Sequence, residues 1–172
     1  MVLKGIYEDE NHRTEFDFSY AVNVFEPHGI ASRHSEYISD VDFVLESKDE
    51  IIFIEYKNVS IAEAHNQGAF IEKIKNGNLT KVLIKKFFGT LLIVLMTNRN
   101  PHKKPIVYSC VIEGGKKIDG VMMKKLRNKV RSGLPFDYEK IRDVEVPIID
   151  RFELMSISDW NSKYSQYPIR MK

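Results

Sequence analysis

An unbroken apolar run, Ile51-Ile52-Phe53-Ile54, passes directly into Glu55-Tyr56-Lys57. A short β-branched and aromatic run without alternation is the pattern of a strand covered on both faces, at the centre of its sheet. Glu55 and Lys57 stand two residues apart, so on a strand they share a face. Charge carried into buried structure is costly unless it is paired or holds a metal. The chain must therefore place layers on both sides of this strand and make use of the two charges at its end.

The polar turn Ser47-Lys48-Asp49-Glu50 precedes this strand, and residues 37–46 read as its hairpin partner, carrying Asp40 and Asp42. If the turn is 47–50, Glu46 faces Ile51 and the numbers of paired residues sum to 97. Asp42 then stands opposite Glu55, and Asp40 opposite Lys57. Facing carboxylates repel each other, and a divalent cation turns that repulsion into attraction. Mg²⁺ binds through one or two carboxylates together with substrate phosphate. Such an ion activates water and stabilises charge on a phosphoryl oxygen, while an adjacent ammonium such as Lys57 neutralises developing charge. Asp42, Glu55 and Lys57 thus have the chemistry of a phosphodiester-hydrolysis site. The same residues also suit an ion pair at a sheet end, with Lys57 satisfying Asp40 or Glu55. The tripeptide alone is not specific, because Glu46-Ser47-Lys48 repeats it in a turn.

Along the rest of the chain, Thr14-Glu15-Phe16-Asp17 has the form of a capping box. Phe18, Ala21, Val22 and Phe25 follow at helical spacing, which predicts a first helix ended by Pro27 and Gly29. A helix is expected from about Ile61, broken at Asn76-Gly77-Asn78 and resumed over Thr80 to Phe88, with Gly89 as its C-cap. Leu91 to Thr97 reads as a third buried strand and Ile106 to Ile112 as a fourth. Residues 118–131 form a basic amphipathic helix with Ile118, Val121, Met122, Leu126 and Val130 inward. Val144 to Ile149 reads as a short strand, and Ser156 to Tyr164, with Trp160, as a last helix. This order is that of one α/β (α+β) domain over residues 1–172 with a mixed sheet.

The net charge of +2 conceals a polarity. Residues 1–72 hold 5 Lys/Arg against 15 Asp/Glu, and residues 73–172 hold 21 against 9. The densest basic run, Lys116 and Lys117 followed by Lys124, Lys125, Arg127, Lys129 and Arg131, suits a phosphate backbone; a solvated helix face is the alternative. The single cysteine, Cys110, excludes an intramolecular disulfide and a CxxC zinc site. No histidine pair has HxxxH or HExxH spacing. The expectation is a cytoplasmic protein with no membrane span, and the apolar residues of 82–88 leave surface for a homodimer.

Val41-Asp42-Phe43-Val44 followed by Ile52-Phe53-Ile54-Glu55-Tyr56-Lys57-Asn58 resembles the core of the PD-(D/E)xK nuclease superfamily. The resemblance implies a restriction-endonuclease-like αβββαβ core, with a mixed central sheet flanked by helices. It also implies Mg²⁺- or Mn²⁺-dependent hydrolysis of nucleic acid, with DNA the expected substrate. Carried over residue by residue, Asp42, Glu55 and the backbone carbonyl of Tyr56 would hold the metal, and Lys57 would assist catalysis. Asp40 competes for the first acid role, Glu15 is the candidate for an additional acid from the first helix, and Val41 stands where the family has proline. The alternative on this fold is a catalytically inactive nucleic-acid-binding or assembly protein.

Overall fold

The computed structural model describes residues 5–34, 36–59, 64–114, 118–145 and 147–172, and the side chains of these except at 34, 64–66 and 139. The strands are β1 (Ile6–Glu8), β2 (Thr14–Asp17), β3 (Asn23–Phe25), β4 (Phe43–Glu46), β5 (Ile51–Asn58), β6 (Ile106–Glu113), β7 (Arg151–Met155) and β8 (Ile169–Met171). The α-helices are α1 (His28–Ala31), α2 (Ala64–Lys75), α3 (Asn78–Met96), α4 (Gly120–Gly133) and α5 (Ile157–Lys163). The five-stranded sheet has the order β3-β4-β5-β6-β7, and β1-β2-β8 form a second, three-stranded sheet. β3, β4 and β5 are an antiparallel meander, after which β6 and β7 add in parallel. The fold is mixed α and β, with β5 in the middle position that its apolar run demands.

β5 is buried on both faces because different layers cover it. Ile51 and Phe53 meet α2, α3 and α4 through Phe70, Ile74, Leu83, Phe87, Leu126 and Val130. Ile52, Ile54 and Tyr56 meet the small sheet and α5 through Phe16, Phe18, Ile169 and Trp160. Seven of the eight β6 residues are buried for the same reason. The β4–β5 register pairs Glu46 with Ile51 and Phe43 with Ile54, as the turn 47–50 requires. Ser47 builds that turn: its hydroxyl donates to the Glu50 carbonyl at 3.0 Å and accepts from the Glu50 amide at 2.9 Å.

Several elements differ from their sequence expectation. Residues 14–25 are not a helix: Thr14, Phe16 and Phe18 are all buried in alternation, and β2 pairs with the distant β8. That period of two competes with the helical spacing of Phe18, Ala21, Val22 and Phe25, and strand pairing decides it. The short helix α1 follows β3 rather than leading it. The first half of 37–46 is not strand; β4 begins at Phe43. Leu91 to Thr97 is not a strand either, because α3 continues to Met96; an apolar run this short has no period to separate the two. Among the described residues of 144–149 there is no strand, and the edge strand β7 starts at Arg151. It escaped notice because it carries Arg151 and Glu153, whose Nε and Oε1 pair at 2.9 Å. The break at Asn76-Gly77 is real: Gly77 takes φ 79°, the left-handed conformation glycine tolerates, and α3 starts after it. No helix among the described residues is long and apolar enough to cross a membrane.

Candidate active site

The site forms where the β4–β5 ladder opens. Past the last pair, Phe43 with Ile54, Asp42 leaves the ladder and its Oδ2 accepts from the Tyr56 backbone N–H at 2.7 Å. The N–H and C=O of one strand residue leave on the same side, so the Tyr56 carbonyl is aimed toward Asp42 as well. The Tyr56 side chain points to the opposite layer, where its hydroxyl meets Thr14 Oγ1 at 2.9 Å.

Glu55 is fully buried and faces the helical layer. Lys57 Nζ lies 2.8 Å from its Oε1, and Lys86 Nζ donates to its Oε2 at 2.8 Å. Oε1 is a buried carboxylate oxygen whose charged neighbour is the Lys57 ammonium. Burial works against the Lys57 ammonium, but the adjacent Glu55 carboxylate more than offsets this and its pKa is raised. Asp42 is pushed up to about 6, first by burial and then by the Glu55 charge; Lys86, the Tyr56 N–H and Lys57 act in the opposite direction. Cys110 stands next to Glu55 in the β5–β6 register, and burial pushes its thiol up, so it is a protonated, apolar neighbour.

The segment carrying Asp42 is clamped by α3. Thr90 Oγ1 accepts from the Val41 amide at 3.0 Å, and Lys85 Nζ donates to the Glu36 carbonyl at 3.1 Å. Gly89 lets the helix approach: a Cβ there would stand 2.0 Å from the Ser39 carbonyl oxygen. Gly89 is therefore a contact glycine in mid-helix, not the C-cap that its sequence position suggests.

Asp42, Glu55 and Lys57 lie at one end of the β4–β5 hairpin, but the ladder ends at Phe43 with Ile54. Asp42 is therefore not paired face to face with Glu55, as the register alone predicts; it accepts from the Tyr56 amide instead. Asp40 is not opposite Lys57; its Oδ2 lies 3.6 Å from His28 Nδ1. Glu15 lies on β2, in the other sheet, with Arg170 at 3.4 Å and Lys172 at 3.9 Å. Among the described residues no group of three or more His, Cys, Asp or Glu side chains converges on one point. The convergent set is two carboxylates and one backbone carbonyl. It fits a hard divalent cation on two counts: Glu55 Oε1 is a buried carboxylate oxygen at the open end of the ladder, and burial together with the Glu55 charge holds the Asp42 carboxyl above its ordinary range, which a cation would relieve.

Lys86 was not evident from the motif, although a signal existed. On α3 the buried residues are Leu79, Leu83, Phe87, Thr90, Ile93 and Val94. Position 86, three residues after Leu83 and four before Thr90, falls on that inner stripe, and a lysine there needs a buried anion.

Of the basic residues, Lys124, Lys125 and Lys129 project from α4 as exposed side chains. Arg127 Nη2 donates to the Leu154 carbonyl at 3.4 Å, and the Arg131 guanidinium stacks on the Phe136 ring at 4.1 Å. Lys116 and Lys117 lie outside the described residues. Leu126 and Val130 face inward as expected, but Val121 is exposed because α4 starts at Gly120, capped by Asp119 Oδ1 accepting from Met122 N at 2.7 Å. Ile74 and Lys75 at the end of α2, with Asp119, Met122, Lys125, Leu126 and Lys129 at and along α4, line a groove of mixed charge. Compared with family models, curated proteins and solved structures, the chain matches none of them.

Proposed function

We propose that this protein is a metal-dependent nuclease that hydrolyses phosphodiester bonds of nucleic acid, DNA foremost. The observation that carries the reading is the convergence of Asp42, Glu55 and Lys57 at the open end of the β4–β5 ladder. The meander β3-β4-β5, followed by helices and a parallel β6, supports it, since this is the αβββαβ order that the PD-(D/E)xK resemblance implies, without its leading helix among the described residues, and with the acid before the second strand and Glu55-Tyr56-Lys57 on the third. In this reading Asp42, Glu55 and the Tyr56 carbonyl hold Mg²⁺ or Mn²⁺. The bound ion supplies Lewis acidity toward water and a phosphoryl oxygen. The Tyr56 N–H fixes the Asp42 carboxylate, burial by the helical layer fixes Glu55, and Lys57 presents an ammonium to the charge that develops on phosphate. Lys124, Lys125 and Lys129 supply contacts to the phosphate backbone. A single buried cysteine suits the reducing cytoplasm in which such an enzyme would act.

The test is cleavage of plasmid, linear duplex and single-stranded DNA with Mg²⁺ or Mn²⁺. The wild type is expected to cleave, and Asp42→Ala and Lys57→Ala to lose on the order of 10²-fold or more in rate. Cleavage that survives both substitutions rules out this site. A second reading, a binding module without turnover, is favoured by one observation: Glu55 already has two lysine neighbours, as in a structural ion pair. Salt-sensitive binding with no cleavage in any metal selects it.

A further inference from the structure

The two oxygens of Glu55 are in different situations. Oε2 is engaged by Lys86, a residue that α3 brings in from outside the strand motif, at 2.8 Å. Oε1 is paired with Lys57, which comes from the strand motif itself, at 2.8 Å. Lys86 is itself largely covered, with 16% of its side chain exposed, and α3 is anchored to the Asp42 segment through Gly89 and Thr90. Lys57 sits at the strand end, with 36% of its side chain exposed. Lys86 is therefore packed in from the helical layer, and Lys57 is the more solvent-accessible of the two.

We propose that Lys86 is a positioning residue that reserves Oε2 and limits Glu55 to single-oxygen coordination through Oε1, so that the site prefers Mg²⁺ or Mn²⁺ over Ca²⁺. This rests on the metal-site reading above. Small octahedral ions are satisfied by one oxygen from each carboxylate and complete their shells with water and phosphate. Ca²⁺ takes more oxygen ligands and gains from a bidentate carboxylate. A carboxylate whose second oxygen is held by a buried ammonium cannot offer that bidentate grip. Groups that orient a metal ligand from behind commonly change metal affinity by about 10–100-fold when removed.

The experiment titrates Mn²⁺ and Ca²⁺ into the full chain at pH 8, by calorimetry and by thermal unfolding. Loss of a positive charge strengthens both ions, so the readout is the ratio of the two affinities. Lys86→Met, which frees Oε2, is expected to cut the Mn²⁺-over-Ca²⁺ preference about tenfold or more. Lys86→Gln, which keeps a donor toward Oε2 without the charge, is expected to stay within about threefold of the wild-type ratio. A wild-type ratio in Lys86→Met, or equal loss in both variants, overturns the assignment while leaving the metal site in place. A wild type that neither ion stabilises sinks the metal site and this inference together. Should Lys86→Met fail to fold, a Ca²⁺-soaked crystal of the wild type decides: one Glu55 oxygen on the ion and Lys86 on the other supports the proposal, and both oxygens on the ion overturns it.

Discussion

At the scale of single residues, the site is a charge balance with one weak member. Asp42 carries a folded pKa of about 6 against an ordinary value of 3.8. The folded protein thus binds this proton more readily than the unfolded chain does. Stability from this group is greatest at low pH and is lost as pH rises from about 4 through 6, at a cost on the order of 3 kcal/mol once Asp42 is ionised. Asp42→Asn removes the charge and is expected to raise stability by roughly 1–3 kcal/mol at pH 8, a gain that shrinks toward zero near pH 4. Urea unfolding at the two pH values checks this; a gain that is constant with pH refutes it. The nearness of Asp42, Glu55 and Lys57 was legible in the sequence because a four-residue turn fixes the register as far as Phe43 and Ile54; that Asp42 then leaves the ladder for the Tyr56 amide was not. Nor was Lys86, since only the packing of α3 on β5 delivers it. Glu15 was misplaced because its neighbours fit a helical cap and a strand equally well, and the partner strand that settles the matter lies at the other end of the chain.

At the scale of elements, α3 matters most. Its sequence pattern suggests a short helix followed by a strand, yet it is one helix of 19 residues. Glycine inside a helix costs about 1 kcal/mol relative to alanine, and Gly89 is retained because it lies against the Ser39 carbonyl. Gly89→Ala is therefore expected to destabilise by roughly 1–3 kcal/mol through overpacking, in spite of alanine's better helix propensity. Gly68 in α2 is the internal control: a Cβ there meets nothing within 4 Å. Gly68→Ala should stabilise by about 0.5–1 kcal/mol. Thermal denaturation of both variants compares the signs, and two stabilising substitutions would remove the clamp from the account. Long elements with clear period or continuous burial, such as β5, β6, α2 and α4, were legible. The short strands of the second sheet were not, since three or four residues carry little period and their stability comes from pairing.

At the scale of the whole molecule, the acidic and basic halves of the sequence interleave, β8 pairing with β2 and β6 with β5. The hairpin contributes both candidate metal carboxylates, while α4 presents Lys124, Lys125 and Lys129. Polyanion binding should weaken linearly with the logarithm of salt concentration. Replacing Lys124, Lys125 and Lys129 together by Gln is expected to lower that slope by about 2–3. Fluorescence anisotropy with labelled DNA over a salt series measures it, and an unchanged slope excludes α4 as the backbone contact. The mixed-sheet class was readable from the order of strong elements, whereas the layering of the second sheet was not, because β2 and β8 are joined only in space. The route between β5 and β6 also bears on how the chain assembles. The hairpin closes over four residues, 47–50, whereas β6 cannot join β5 until the far longer stretch 59–105 has closed. Loop-closure entropy separates the two by roughly 2 kcal/mol. Chain topology therefore sets an order of arrival: the two repelling acids are brought near by a local step, and Lys86, which compensates one of them, comes with a crossover that gives up more freedom.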